Sequence, residues 1–109
     1  MINNTILIGR IVNDIEVKEL EKGKVANFTL AVGRRYKNDK GEYETDFIDC
    51  VVWNELANTL KEYCKKGDLI GVTGRLQTSI YETKEGLKRK SVDVIVENVS
   101  FLQAKKTEE

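Results

Sequence analysis

The sequence predicts an all-β fold, a five-stranded Greek-key barrel with one α-helix between strands three and four. Three observations carry this expectation. Apolar residues alternate with a period of two along most of the chain, and only the stretch after Trp53 changes to helical spacing. Polar tips with a glycine, Lys37 to Glu42 and Glu82 to Arg89, each reverse the chain between long apolar runs. With 109 residues, 40% of them hydrophobic, there is material for one domain and one core.

Asn3 to Val12 is apolar on both strand faces, with Ile6 and Ile8 on one and Leu7 and Ile11 on the other. A strand buried twice needs two covers. One is the barrel core; the second is either another copy of the chain or the helix. Asp14 to Val17 reads as a short strand or bend, after which Lys22, Gly23 and Lys24 turn the chain into a ribbon from Phe28 to Trp53. On its first strand Phe28, Leu30 and Val32 share a face, and strict alternation adds Arg34 and Tyr36. A core does not accept Arg34, so either Gly33 marks a bulge or the ribbon has outrun the barrel and is wet on both faces.

On the return strand Ile48, Cys50 and Val52 face inward, while Phe47, Asp49, Val51 and Trp53 face the other way. Two large aromatics beside a charge do not make a core face. With Arg34, Arg35 and Lys37 at the ribbon's end, that surface offers rings for unstacked bases and cations for phosphates.

Asn54 is a suitable N-cap, Leu56, Leu60, Tyr63 and Cys64 recur at helical spacing, Lys65 and Lys66 suit the last turn and Gly67 supplies the stop. Leu69 to Tyr81 returns to period two, with Ile70, Val72, Leu76 and Ile80 on one face and Arg75, Gln77, Ser79 and Tyr81 on the other. Gly71 and Gly74 suggest the bend of a barrel corner. After the second tip Lys88, Arg89 and Lys90 enter a last strand in which Val92, Val94 and Val96 alternate with Asp93, Ile95 and Glu97. Residues 1–103 form the domain, and 104–109 read as a short, charged, loose tail. Three strands, a helix and two strands is the order of an OB-type barrel, which binds oligonucleotides on strands two and three and in the flanking loops.

Lys plus Arg equals Asp plus Glu, 18 each, so any nucleic-acid surface has to be local. The sequence has no His, and it holds no zinc spacing, Walker A or G-x-S-x-G motif, which argues against an enzyme, a metal or a cofactor. Cys50 and Cys64 form no C-x-x-C pair and read as buried free thiols of a reducing compartment. No window approaches a membrane span and the N-terminus lacks signal-peptide regions, so the expected location is the cytoplasm.

The runs NNTILIGRIVND, VANFTLAV, DFIDCVVWNELA, EYCKKGDLIGVTGRLQT and VDVIVENVSFL, in that order, resemble the bacterial and phage single-stranded DNA-binding proteins, particularly Firmicute-type members. The resemblance covers about Met1 to Leu102. It implies four base-stacking aromatics, here Tyr36, Phe47, Trp53 and Tyr81, and phosphate contacts from Arg10, Arg34, Arg35, Lys37, Arg75, Lys88 and Arg89. It also implies a homotetramer built from dimers that pair through the first strand, with Ile6, Leu7, Ile8 and Ile11 at the interface. Members usually carry a long tail with an acidic tip that recruits replication and repair enzymes, whereas this sequence ends at Lys105 to Glu109. It reads equally as a truncated chain or as a phage or plasmid version without the tip, and recruitment is not supported by these residues. The competing expectations are an OB module for protein contacts, of the primosomal accessory type, or for RNA.

Overall fold

The computed structural model describes residues 1–104, so the expected loose tail lies, beyond Ala104, outside the described residues. In chain order the elements are β1 (Thr5–Ile11), β2 (Glu16–Leu20), β3 (Gly23–Lys37), β4 (Tyr43–Trp53), α1 (Asn54–Tyr63), β5 (Leu69–Glu82) and β6 (Lys88–Gln103). The sheet order is β1-β5-β6-β4-β3-β2, and β1 also pairs with β3, which closes a ring of β1, β5, β6, β4 and β3. This is the expected five-stranded barrel. The extra strand is the second half of the first one, since β1 and β2 both run antiparallel to β3 on either side of a break.

The break has a cause. Val12 donates its N–H to the Thr29 carbonyl at 2.9 Å, and the Asn13 side chain, not a backbone carbonyl, accepts the Thr29 N–H at 2.8 Å. The chain then turns inward to bury Ile15 before β2 resumes the ladder. The core is the inner face of the ring: Ile11, Phe28, Leu30, Cys50, Val52, Ile70, Val72, Val94 and Val96, sealed by Ala57 and Leu60 of α1.

Four expectations change here. Ile11 is only 2% exposed and Leu7 packs against the same core, so of the four residues assigned to an oligomer interface only Ile6 and Ile8, 70% and 57% exposed, face outward. Asn54 is not the N-cap. Trp53 holds that position with extended backbone and no side-chain cap bond, while Asn54, at φ 55°, accepts the Lys24 N–H at 3.2 Å and stitches the helix start to β3. Lys65 and Lys66 lie past the helix, because Cys64 leaves it in an extended conformation and buries its side chain. Leu76 and Ile80 are exposed, because Leu76 lies just past Gly74, where β1 stops covering β5, and Ile80 is farther out where the β5–β6 hairpin outruns the barrel.

Among the described residues no helix is long and apolar enough to cross a membrane. Gly74 stands at a register shift between β5 and β6, where an added Cβ would press on the Ile95 carbonyl; at Gly33 an added Cβ meets nothing. Gly74→Ala should therefore cost about 1–3 kcal/mol through local overpacking. In a thermal melt this appears as a fall of at least about 4 °C, with Gly33→Ala melting like the parent.

Candidate nucleic-acid interface

The outer face of the β3–β4 pair is set by register. Phe47 stands opposite Ala31, Asp49 opposite Thr29, Val51 opposite Asn27 and Trp53 opposite Val25. Residues directly opposite in an antiparallel pair share a face. The inward neighbours Cys50 and Val52 are buried, so alternation turns this row outward. Small Ala31 leaves the Phe47 ring 67% exposed, whereas Trp53, at the junction with α1 and opposite buried Val25, is half-buried. Between them Thr29 Oγ1 donates to Asp49 Oδ1 at 3.2 Å.

A cavity of about 330 Å³ opens beside this row, lined by Asn13, Asn27, Thr29, Asp49 and Asp93 with Phe28 and Cys50. Burial first, then the charges of Asp49 and Asp93, pushes the Cys50 thiol up to about 12. Burial and the nearby Asp68 push Cys64 to about 11. Neither thiol is a thiolate near neutral pH. Among the described residues no cluster of His, Cys, Asp and Glu is arranged to hold a metal ion.

Beyond Gly33 the ribbon leaves the barrel and every residue from Gly33 to Lys37 is exposed. The two possibilities left open for Gly33 are both realised. Gly33 pairs with Thr45 and Lys37 with Tyr43, so Arg34, Arg35 and Tyr36 bulge out opposite Glu44 alone. Tyr36 is 81% exposed, and Lys37 Nζ lies 5.7 Å from the centroid of the Tyr43 ring. Tyr43 was not singled out from the sequence, although its odd number puts it in phase with Phe47. At the tip Asn38 Oδ1 accepts the N–H groups of Lys40 and Glu42 at 2.9 and 3.0 Å.

The β5–β6 arm carries a second pairing of ring and cation, with Tyr81, 54% exposed, directly across from Arg89 and Glu82 across from Lys88. The basic residues differ in how free they are. Arg10 Nη1 donates to the Gly67 carbonyl at 3.0 Å and Arg75 Nη1 to Gln77 Oε1 at 2.9 Å. Arg34 is committed further, with Nη2 2.9 Å from Asp46 Oδ1 and Nη1 2.6 Å from Glu44 Oε2. The hydrogen bond from Arg34 holds the Asp46 carboxyl below its ordinary range, and the same bond, with the charges of Asp46 and Glu44, raises Arg34. Arg35, Lys88 and Arg89 have no side-chain partner among the described residues.

The model of the single-strand binding protein family matches residues 2–102. Single-stranded DNA-binding protein 3 of Streptococcus agalactiae is 42% identical over the whole chain and 80% of its own length. Single-stranded DNA-binding protein 1 of Lactococcus lactis is 43% identical over 99% of the chain and 73% of that relative. A Plasmodium falciparum protein, solved as an SSB complex with ssDNA, superposes with a TM-score of 0.84 at 27% identity, covering 94% of this chain and 96% of that one.

The Arg34 pairing has a measurable sign. A carboxyl depressed in the folded state contributes stability above its unfolded pKa and loses it as pH falls through its folded pKa. Asp46 should thus titrate below ordinary aspartates in a carboxyl-resolved NMR titration, and Arg34→Gln should move it upward. An unchanged Asp46 midpoint in that variant contradicts the pairing.

Proposed function

The chain belongs to the single-strand binding protein family, and from that membership and its outer face we propose that it coats single-stranded DNA in replication, recombination and repair, stoichiometrically and with little regard to sequence. The observation that carries this reading is the exposed Phe47 row on β4, flanked by two projecting arms that each bear an aromatic and free cations. A flexible strand threads over that face. Bases stack on Phe47 and Trp53 in the middle and on Tyr36 and Tyr81 toward the arms. Every base has a π face, so stacking tolerates sequence.

Phosphates are held by Arg35, Lys37, Lys88 and Arg89, with Arg10 and Arg75 as further contacts. Each of these last two spends one donor on its own chain, and a guanidinium has five. Asp49 stands in the row between Phe47 and Trp53 and shares a cavity with Asp93, so the backbone stays off the middle of the face and the bases turn toward it. No cofactor or metal takes part and no bond is made or broken. Ile6 and Ile8 supply an apolar stripe through which two copies pair, the first step to a tetramer. The site of action is the cytoplasm. The 2′-hydroxyl of RNA is the feature that would divide DNA from RNA binding, and matched oligomers in competition read it directly.

Oligo-dT titrated against intrinsic fluorescence should quench Trp53 with tight, salt-sensitive binding. Phe47→Ala and Trp53→Ala should each weaken that binding by about 1–3 kcal/mol, Phe47→Ala with the melting temperature unchanged and Trp53→Ala with the fold intact at a lower melting temperature, since its ring is half-buried against α1. No binding at low salt would favour a protein-interaction module on the same barrel. Light scattering at micromolar concentration should report a tetramer, and Ile8→Asp should yield a smaller species that still melts cooperatively.

A further inference from the structure

Within the proposed DNA-binding surface, Arg34 stands apart from the other cations. Its guanidinium is used as a fork: Nε lies 3.2 Å from both Asp46 oxygens, Nη2 2.9 Å from Oδ1, and Nη1 2.6 Å from Glu44 Oε2. The second Glu44 oxygen accepts from Asn38 Nδ2 at 3.3 Å, and Asn38 Oδ1 in turn holds the Lys40 and Glu42 N–H groups. The side chains thus form a continuous relay, Asp46 to Arg34 to Glu44 to Asn38, from the barrel end of the ribbon to its tip.

The relay covers a defined stretch. The ladder is regular up to Gly33 and resumes at Lys37, and between them Arg34, Arg35 and Tyr36 lack regular partners on β4. A two-stranded arm exposed on both faces is marginal once its ladder is interrupted. Planar, bidentate guanidinium pairing supplies geometry that a point charge does not. The relay also lies on the wrong face for DNA. Asp46 pairs with Val32 on the inward-facing register, opposite to that of Phe47. Two carboxylates against one guanidinium leave the cluster net negative, which repels a phosphate.

We propose that Arg34 is a positioning residue and not a phosphate ligand: with Asp46 and Glu44 it braces the bulged arm, so that Arg35, Tyr36 and Lys37 are presented to the nucleic acid. The brace is a property of the free protein; its effect on affinity rests on the single-stranded DNA reading above.

Two measurements on the full chain separate these levels. Millisecond hydrogen exchange of the free protein should show faster exchange of amides 35–43 in both Arg34→Lys and Arg34→Gln, with the barrel unaffected. Protection equal to the parent's in both variants overturns the brace whether or not DNA binds. Oligo-dT titrations over a salt series should then show both variants severalfold weaker, with Lys failing to rescue and the slope of log K against log salt unchanged. Parent-like binding by the Lys variant, together with a slope lowered by about 0.7 in the Gln variant, would identify a phosphate contact and overturn the proposal. If the parent itself does not bind oligo-dT, the proposed function fails and the exchange result still decides the brace.

Discussion

The structure depends on closing the barrel through two short seams. On one side β1 meets β3 through two register pairs, Arg10 with Ala31 and Ile11 with Leu30; on the other β4 meets β6 in parallel through Cys50 with Val94 and Val51 with Ile95. So few ladder bonds do not hold a sheet in a ring by themselves. At each seam the inward pair is fully buried, Ile11 with Leu30 and Cys50 with Val94, so closure is held by apolar burial at the points where the backbone is thinnest. Gly9 belongs to the same economy. An added Cβ there would run into the Ala31 carbonyl, so the residue before the first seam has to lack one if β1 and β3 are to approach.

Short seams have a consequence for the surface. The ring is closed near the middle of long strands, and the remaining lengths of β3–β4 and β5–β6 run on as two-stranded arms with water on both sides. An arm beyond the core is free to carry whatever its partner requires. Here the two arms carry Tyr36, Arg35 and Lys37 on one and Tyr81, Lys88 and Arg89 on the other, while the rigid ring between them carries Phe47 and Trp53. Rings on the barrel wall with exposed cations on the two projecting arms suit a ligand whose bases are regular and whose backbone is not.

Alternation made much of this legible in the sequence. Once Cys50 and Val52 are taken as inward, Phe47 and Trp53 must face outward, and the five-membered ring follows from the order of periods. Period does not say how far along a strand the core extends. Leu76 and Ile80 are in phase with buried Ile70 and Val72, yet both lie past Gly74, where pairing with β1 stops, and only the register of β5 reveals it. The same limit divided the first strand, where Ile6 and Leu7 are equally apolar in sequence and only pairing decides which is covered. Partnerships across turns were hidden altogether. Nothing local to Asn54 points to Lys24, thirty residues earlier, and nothing local to Arg34 distinguishes it from Arg35 until Asp46 and Glu44 are set beside it.

The charge balance adds a step concerning which nucleic acid such a surface selects. A uniformly basic protein attracts any polyanion, duplex included, because phosphate neutralisation carries no information about strandedness. This chain has no net charge, and Asp49 stands in the Phe47 row and shares a cavity with Asp93, so the long-range attraction is small and confined to the arms. Duplex DNA would bring phosphates to that neutral, partly acidic face while its bases stay paired and stacked on one another, unavailable to Phe47. On the proposed reading, a single strand offers free bases to the same ring and keeps its phosphates toward Arg35, Lys37, Lys88 and Arg89. On the proposed reading, neutrality is therefore part of the recognition. It withholds from the duplex the one term that duplex and single strand share, and leaves the decision to stacking.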